Sequence, residues 1–397
     1  MDKLKVKKYL RLASLIIFSM MIGSVITIFI KNDTVGITKN NKSHKLNSNL
    51  GAIEETYNSI LNEYYQKVDS QTLIDGAIDG MLNSLGDQHT SYFTEKEKND
   101  FDAELSGEYY GIGAQIQSIS ENEVKIIKIF DGSPAQKYGL QVGDVFVSID
   151  GKSTDGMDAT DISNNLRSEK ATSATIVVNR NGKKVKVNIK KDKVTMFSVS
   201  SEVIKSGNKN IGYIGVSIFG QKTYTQFKNA LTKLENQNID SLIIDLRDNT
   251  GGYLTTVTQM LELFLDDGKI LYQMQTNEGV VEYKSSKNNS RKYEIIILVN
   301  ETSASASEIM AAAMKENYSA KLVGKTTYGK GTVQTIKYLS NNAMIKYTIE
   351  KWLTPSGNSI DGEGIKPDYE VEVSEEYLND STKENDKQLQ KAIELLK

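Results

Sequence analysis

The segment EIIILVNETSASASEIMAAAMKEN (294–317) places a short apolar run directly before a serine-rich turn and an Ala- and Met-rich stretch. This order predicts a buried strand, a tight loop and a helix. Ser305 and Glu308 have the spacing of a capping box, in which each side chain satisfies a backbone N–H of the first helical turn. The alternative is chemical: Ser303, Ser305 or Ser307 is a nucleophile at the positive end of the helix. Spacing alone does not choose among the three serines.

Strands and helices alternate from residue 195 onward. The apolar runs IGYIGVSIF and SLIIDLRDN are each followed by a helical pattern, as EIIILVN is. Near-continuous apolar strands are typical of a largely parallel sheet covered by helices on both faces. We therefore predict an α/β core over 195–374, with a late strand in 343–355. The tail over 375–397 is charged and indicates a surface helix.

Two further regions precede this core. Residues 49–105 have the 3.6-residue periodicity of amphipathic helices, with Ile53, Tyr57 and Ile60 on one stripe. Residues 106–194 contain short β-rich runs separated by turn signals such as DGSP and RNGK, which predicts a small, half-open β-barrel-like domain.

The amino terminus indicates membrane insertion. A Lys- and Arg-rich start precedes the uncharged apolar run 12–30, and a span needs about 20 such residues. Basic residues stay on the cytoplasmic side, so everything after Lys31 is expected outside the cytoplasm. The run lacks a small-residue cleavage site, which favours an uncleaved anchor over a signal peptide. We assign 1–31 to a cytoplasmic stub and anchor, and 32–48 to a flexible polar tether.

Composition excludes several classes of site. The chain has 397 residues, no cysteine and a formal net charge of -3. The absence of cysteine excludes thiol catalysis, disulfides and Cys-based zinc sites. The slightly negative net charge gives no general attraction to nucleic acid. We expect no metal and no cofactor. His44 and His89 are the two histidines, so a histidine-dependent reaction has few candidate bases.

The segment SPAQKYGLQVGDVFVSIDG (133–151) resembles the central signature of PDZ domains, which bind the C-terminus of a peptide as an added strand. The resemblance implies that the loop YYGIGAQ holds the terminal carboxylate with backbone N–H groups. Its residues Gly111, Ile112 and Gly113 are the candidate carboxylate-binding positions. The apolar residues expected to line the site are Ile112, Ala114, Ile116 and Leu166.

Two loops at the carboxyl ends of the predicted strands can carry acyl-transfer chemistry. DLRDNTGGYL supplies Gly251 and Gly252, whose backbone N–H groups can point outward, and the serine turn supplies further donors. A serine nucleophile also needs a base. His44 lies in the tether and His89 in a turn outside the core. The remaining candidate is Lys330 in VGKTTYGKGTVQT, if burial keeps its amine neutral.

Taken together, RDNTGG, SASASE and GKGTVQ resemble the carboxyl-terminal processing peptidases, the tail-specific serine proteases. GAIDGMLNSLGDQHTSYF and WLTPSGNSIDGEGIKPD extend the likeness over nearly all of the chain after the tether. The resemblance implies a protease core with an inserted PDZ domain and a Ser–Lys dyad. It selects Ser305 as nucleophile and Lys330 as general base. It also implies that Gln334, one helical turn beyond the lysine in spacing, positions the base, and that the N–H of Ala306 completes an oxyanion hole with Gly251 or Gly252.

The expected function is that of a single-pass membrane endopeptidase, extracytoplasmic, that cuts proteins near C-termini recognised by the PDZ domain. The alternative is a PDZ adaptor with an inactive protease-like domain. The N-terminal helices can form a homodimer, as the resemblance implies, or pack on the core. Arg167 matches a family arginine that couples PDZ occupancy to catalysis, but the glycines that usually follow it are missing from LRSEKATS.

Overall fold

The computed structural model describes residues 50–120, 123–167, 172–289 and 291–397. The predicted membrane anchor and tether lie outside these residues. Within the described ranges, no helix is both long and apolar enough to cross a membrane. The chain forms two compact units. One contains the residues up to Phe101 together with Val199–Lys397, and the other is Asp102–Ser198.

The N-terminal part is mainly helical. Its elements are α1 (Leu50–Glu63), α2 (Ser70–Asn83), β1 (Ser91–Phe93) and α3 (Glu95–Ser106). The Asp69 carboxylate caps α2 by accepting the N–H of Thr72. Neither α1 nor α2 contains a fully buried residue, although Leu73, Ile78 and Leu82 of α2 are half-buried and α2 contacts β1. The strand β1 was not expected within this region.

The unit Asp102–Ser198 is built around an antiparallel sheet in the order β3-β4-β5-β7-β8. Its elements are β2 (Glu108–Gly111), β3 (Ala114–Ser120), β4 (Glu123–Ile129), α4 (Pro134–Lys137), β5 (Val145–Ile149), β6 (Lys152–Ser153), α5 (Ala159–Arg167), β7 (Ser173–Arg180), β8 (Lys183–Lys190) and β9 (Asp192–Thr195). The core includes the fully buried Ile126, Ile162 and Ile176. Because β3 is an edge strand with α5 beside it, one side of β3 is open to an added strand.

The larger unit contains a six-stranded sheet in the order β10-β11-β12-β15-β16-β19. The pairing of β10 with β11 is antiparallel and every later pairing is parallel. The strands are β10 (Val199–Ser206), β11 (Lys209–Val216), β12 (Ser241–Asp245), β15 (Glu294–Val299), β16 (Lys321–Gly324) and β19 (Tyr369–Glu370). The predicted largely parallel sheet is confirmed.

Helices cover both faces of this sheet. One face carries α6 (Thr223–Glu235), α7 (Leu254–Leu261) and α8 (Ala306–Asn317), whose apolar side chains join a single large core cluster. The tail forms α9 (Glu375–Asn379) and α10 (Lys387–Leu395). α10 is the helix predicted for the charged tail: its Lys387 and Gln390 are exposed, and its Leu389 and Ile393 pack with Ile243 against the other face of the sheet.

A second, antiparallel sheet belongs to the same unit. It joins β13 (Ile270–Thr276), β14 (Gly279–Lys284), β17 (Thr332–Tyr338) and β18 (Met344–Leu353) to the N-terminal strand β1. β18 is the strand predicted in 343–355. It pairs with β1 on one side, where Ser91 faces Lys346, and with β17 on the other, where Ile336 faces Lys346. This pairing brings the N-terminal turn at 86–90 to the candidate site.

Candidate active site

Ser305 occupies a strained turn between β15 and α8. Its backbone has φ 56° and ψ -112°, in a region that non-glycine residues rarely adopt and that costs roughly 1–3 kcal/mol. The residue is fully buried. Strain of this kind is concentrated at functional sites, where the surrounding structure holds a side chain in one orientation.

The three alternating serines have different surroundings. Ser303 donates its hydroxyl to the carbonyl of Leu246 at 2.8 Å, and Ser307 donates to the carbonyl of Asn249 at 2.8 Å. Ser305 Oγ has no hydrogen-bond partner among the described residues, although it is buried. Ser303 and Ser307 thus fasten the turn, and the Ser305 hydroxyl is left for another use.

The capping box is only half formed. Glu308 accepts the backbone N–H of Ser305 at 2.8 Å, as predicted, but the Ser305 hydroxyl caps no N–H of α8. The pair occupies the predicted capping-box positions, but the strained backbone of Ser305 is not the extended backbone of an ordinary N-cap, and its hydroxyl makes no hydrogen bond to the helix. Ala306 is the first residue of the helix, where the N–H has no partner within the helix.

Glu308 connects the turn at residues 300–305 (the serine turn) to the loop at residues 325–331 (the lysine loop). Its fully buried carboxylate also accepts the Thr327 hydroxyl at 2.6 Å and the N–H groups of Gly329 and Lys330 at 2.7 and 2.9 Å. Burial raises the pKa of Glu308, while these hydrogen bonds act in the opposite direction. The sequence indicated a capping role for this residue and gave no sign of the contact to the loop.

Lys330 lies in this loop, buried to 2% exposure. Burial holds the pKa of its amine well below the ordinary lysine value, and repulsion from Lys346 lowers it further. The backbone around it is tightly held, since Trp352 donates its indole N–H to the Lys330 carbonyl at 2.7 Å. A Cβ on Gly331 would come within 2.7 Å of the Asp361 side chain, so only glycine fits beside Lys330.

Gln334 lies on β17, the strand that follows the loop of Lys330, and its role in positioning the base stays a prediction. Its amide Nε2 donates to the hydroxyls of Thr332 and Thr348 at 2.9 and 3.1 Å. Its Oε1 is buried without a hydrogen-bond partner among the described residues. The side chain therefore presents an unused acceptor on the strand that directly follows the lysine loop.

The glycine loop after β12 is held by Asn249. The side chain of this fully buried residue donates to the carbonyl of Val216 at 2.8 Å and accepts the N–H of Gly251 at 2.9 Å. Because the N–H of Gly251 is used in this way, Gly252 is the better candidate for a free donor. Gly252 has φ 135°, and a Cβ there would lie 2.5 Å from the carbonyl oxygen of Phe219, so no other residue fits.

Three residues that were not predicted lie around the dyad. Asp87 accepts hydrogen bonds from the hydroxyls of Thr90 and Thr348, both at 2.6 Å. His89, placed outside the core on sequence grounds, is half-buried with its ring 6.4 Å from that of Tyr328. Burial and then the charge of Lys330 lower the pKa of His89 to about 4.

Lys346 is the third of these residues. It is buried to 2% exposure on β18, its Nζ lies 5.4 Å from the ring centre of Phe93, and burial lowers its pKa to about 8. Nothing in the local sequence distinguishes Lys346, because it follows the alternation of an ordinary strand.

The candidate peptide site of the smaller unit lies at the start of β3. Gly113 has φ 75°, and a Cβ there would lie 2.3 Å from Cβ of Ser133. Ala114 and Ile116 are half-buried on β3. Ile112 and Leu166 are both 4% exposed and belong to the core cluster against which Ala114 and Ile116 pack. The side chain of Arg167, the last residue of α5, lies outside the part of the chain that the structure describes.

A separate cavity of about 490 Å³ lies at the opposite, amino-terminal ends of β15 and β16, lined in part by Glu294, Lys321 and Tyr318. None of the candidate catalytic residues borders it. The serine, the lysine and the glycine loop all follow the carboxyl ends of strands, which is where open α/β sheets bind their ligands.

Comparison with known proteins agrees with this geometry. Family profiles match Peptidase family S41 over residues 210–371, a PDZ domain over 129–180, and the activating protease CtpB N-terminal domain over 21–97. A putative S41 protease from Bacteroides fragilis shares the fold with a TM-score of 0.54 and 16% identity, over 84% of this chain and 91% of that one.

Two relatives are similar along most of their length. The carboxy-terminal processing protease CtpA of Bacillus subtilis is 34% identical over 369 residues, which cover 92% of this chain and 78% of the relative. A probable CtpA-like serine protease of Staphylococcus epidermidis is 35% identical over 360 residues, or 90% and 71% of the two chains. The chain therefore belongs to the carboxy-terminal processing proteases of peptidase family S41, and it is a serine-type peptidase with a PDZ domain.

Proposed function

We propose that the protein is a membrane-anchored, extracytoplasmic endopeptidase in which Ser305 attacks the peptide bond and Lys330 is the general base. The observation that carries the proposal is the unpartnered hydroxyl of Ser305. Its neighbours Ser303 and Ser307 are both committed to backbone carbonyls, whereas Ser305 Oγ is buried, strained and without a hydrogen bond among the described residues.

The chemistry needs a neutral lysine. Neutral Lys330 Nζ accepts the hydroxyl proton while Ser305 Oγ bonds to the scissile carbonyl carbon, giving a tetrahedral oxyanion and a lysine ammonium. That ammonium then protonates the leaving amine as the C–N bond breaks. Water hydrolyses the resulting acyl-enzyme with Lys330 again as base. The burial of Lys330 supports this role, because it disfavours the charged form that would be unable to accept a proton.

The oxyanion is assigned to the N–H groups of Ala306 and Gly252. Ala306 supplies a donor at the positive end of α8. Gly252 lies in the glycine loop, which is joined to the serine turn because the carbonyl of Asn249 accepts the N–H of Ala304 at 3.1 Å. Gln334 is assigned the positioning of Lys330, since its buried Oε1 is an unused acceptor. Ser305 Oγ has no hydrogen-bond partner among the residues that the structure describes, so the proposed serine–lysine hydrogen bond is one that forms when the site tightens around substrate.

The PDZ domain is assigned the recognition of the substrate C-terminus. The open edge of β3 supports an added strand, and the turn at Gly111–Gly113 precedes it as a carboxylate-binding loop would. The half-buried Ala114 and Ile116 favour an apolar terminal side chain. The substrate class is therefore proteins and peptides with free, apolar C-termini.

The membrane location rests on the apolar run 12–30 and its basic flank. The apolar side chains exposed on α1 and α2, among them Leu50, Ile53, Leu61 and Met81, support a homodimer through these helices.

The decisive experiment compares cleavage of a protein substrate with a free apolar C-terminus by the full-length chain in detergent and by its Ser305→Ala variant. Ser381→Ala is the control, because it removes an exposed serine hydroxyl that holds neither the serine turn nor the glycine loop. Cleavage that is lost only in Ser305→Ala supports the protease. A wild-type chain that binds the C-terminus and never cuts would instead support the PDZ adaptor.

A further inference from the structure

A second buried lysine lies on the strand that contacts Gln334. Lys346 is 2% exposed near the start of β18, between Ser91 of β1 and Ile336 of β17, and two residues before Thr348, which accepts from the Gln334 amide. Lysine is almost never buried without a partner, because its ammonium loses hydration. A neutral side chain of similar length would fill the same space at lower cost, so packing alone does not explain its presence here.

A hydrogen-bonded chain places an anion over the strand face that carries this lysine. Lys346 and Thr348 are two residues apart on β18 and point to the same face. Thr348 donates its hydroxyl to Asp87 at 2.6 Å and accepts from the Gln334 amide at 3.1 Å. Asp87 is held in turn by Thr90 Oγ1 at 2.6 Å and by the N–H of His89 at 2.9 Å.

The charges around the two lysines determine which one holds a proton. Asp87 attracts both ammonium groups, and Glu308 attracts that of Lys330. The charge of Lys346 lowers the pKa of Lys330, and both lysines lower the pKa of His89, which the charge of Asp361 raises. Lys330 is the more strongly affected of the two lysines, whereas Lys346 keeps its proton up to about pH 8.

We infer that Lys346 is a positioning residue for the peptidase: its buried ammonium, balanced by the Asp87 carboxylate, repels the proton from Lys330 and keeps the general base neutral. The inference rests on the proposed role of Lys330 and adds a device that sustains it. A cation beside a catalytic lysine is an established way of activating the amine. The Asp87 carboxylate belongs to the N-terminal helical region, so that region contributes directly to the chemistry.

The test is the pH dependence of kcat/KM for the full-length chain in detergent, with Lys346→Met. Methionine keeps an unbranched side chain and removes the charge. Without the repulsion Lys330 binds its proton more tightly. The acidic limb of the pH profile of kcat/KM should therefore move to higher pH by about one unit, and kcat/KM below the midpoint of that limb should fall about tenfold. Lys337→Met, which removes an exposed lysine from the neighbouring strand, should leave the midpoint unchanged.

Lys346→Arg decides the question if the methionine variant does not fold. Arginine stays charged up to about pH 12, so the acidic limb should stay at or below its wild-type midpoint, and a limb at higher pH would overturn the inference. A purely structural role would lower the rate without moving the midpoint, and that result in Lys346→Met would also overturn it. An active Lys330→Ala variant, in contrast, would refute the proposed base itself, and the two failures are thus distinguishable.

Discussion

The backbone N–H groups of Ser305 and Lys330 donate to the same oxygen, Oε2 of Glu308, at 2.8 and 2.9 Å. One buried carboxylate oxygen therefore holds both residues of the proposed dyad, although they are 25 positions apart in the chain. The other oxygen accepts Thr327 and Gly329. The geometry of the dyad depends on this carboxylate more than on any contact between the two side chains themselves.

Glu308→Gln should impair both stability and catalysis. The glutamine amide would replace one acceptor oxygen with a donor, and at least one backbone N–H would face it without an acceptor: that of Gly329 at the Oε1 position, or those of Ser305 and Lys330 at the Oε2 position. An unsatisfied buried donor costs about 1–3 kcal/mol, so we expect a lower thermal midpoint and a fall in kcat of about tenfold or more. Differential scanning calorimetry and steady-state kinetics measure the two effects.

The control for this change is Glu301→Gln, an exposed glutamate at the start of the same turn. It should leave both quantities unchanged. Wild-type kinetics in Glu308→Gln would show that the carboxylate does not hold the dyad.

His89→Ala should leave the rate within a few-fold, and so should the double replacement with His44→Ala. The pKa of His89 is about 4, so its ring is already neutral at pH 5 and above, and its removal changes no charge over that range. The measurement is kcat/KM from pH 5 to pH 9, with folding checked by circular dichroism. If His89→Ala is folded but inactive, a histidine base replaces the dyad.

The C-terminus of the substrate should control the rate. Amidation removes the charge that the N–H groups near Gly111–Gly113 would accept, and a terminal Asp replaces an apolar side chain. Each change should slow cleavage by about tenfold, since such hydrogen bonds contribute about 1–2 kcal/mol. A matched peptide set with free, amidated and acidic ends measures this preference.

Arg167→Ala should abolish the preference if PDZ occupancy controls the protease. Equal rates for all three kinds of peptide end with the wild-type chain would mean that the PDZ domain does not read termini.

The fold of the core follows from local patterns, whereas the complete site does not. Apolar runs and helical periodicity predicted the parallel sheet and the serine turn, because neighbouring residues decide both. Asp87 and Lys346 reach the site through the pairing of β1 with β18. In that pairing Ser91 lies opposite Lys346, although most of the sequence separates the two residues. No local pattern specifies such a pairing.

Two further differences have the same origin. The strand β17, which carries Gln334, was not predicted, because only its pairing with β18 reveals it. The tail was predicted as a charged helix from its composition. Its Leu389 and Ile393 form a narrow apolar stripe that packs on one face of the parallel sheet, and this packing was not predicted. Both outcomes depend on what each segment packs against.

The central claim is that a neutral lysine activates Ser305, and Lys330→Arg tests it most directly. The measurement is kcat/KM at pH 8 for wild type, Lys330→Arg and Ser305→Ala, each verified as folded. A guanidinium stays protonated at any workable pH, so we expect Lys330→Arg to be as inactive as Ser305→Ala. If Lys330→Arg kept more than about a tenth of the wild-type rate, a loss under about 1.4 kcal/mol, Lys330 would not be the base.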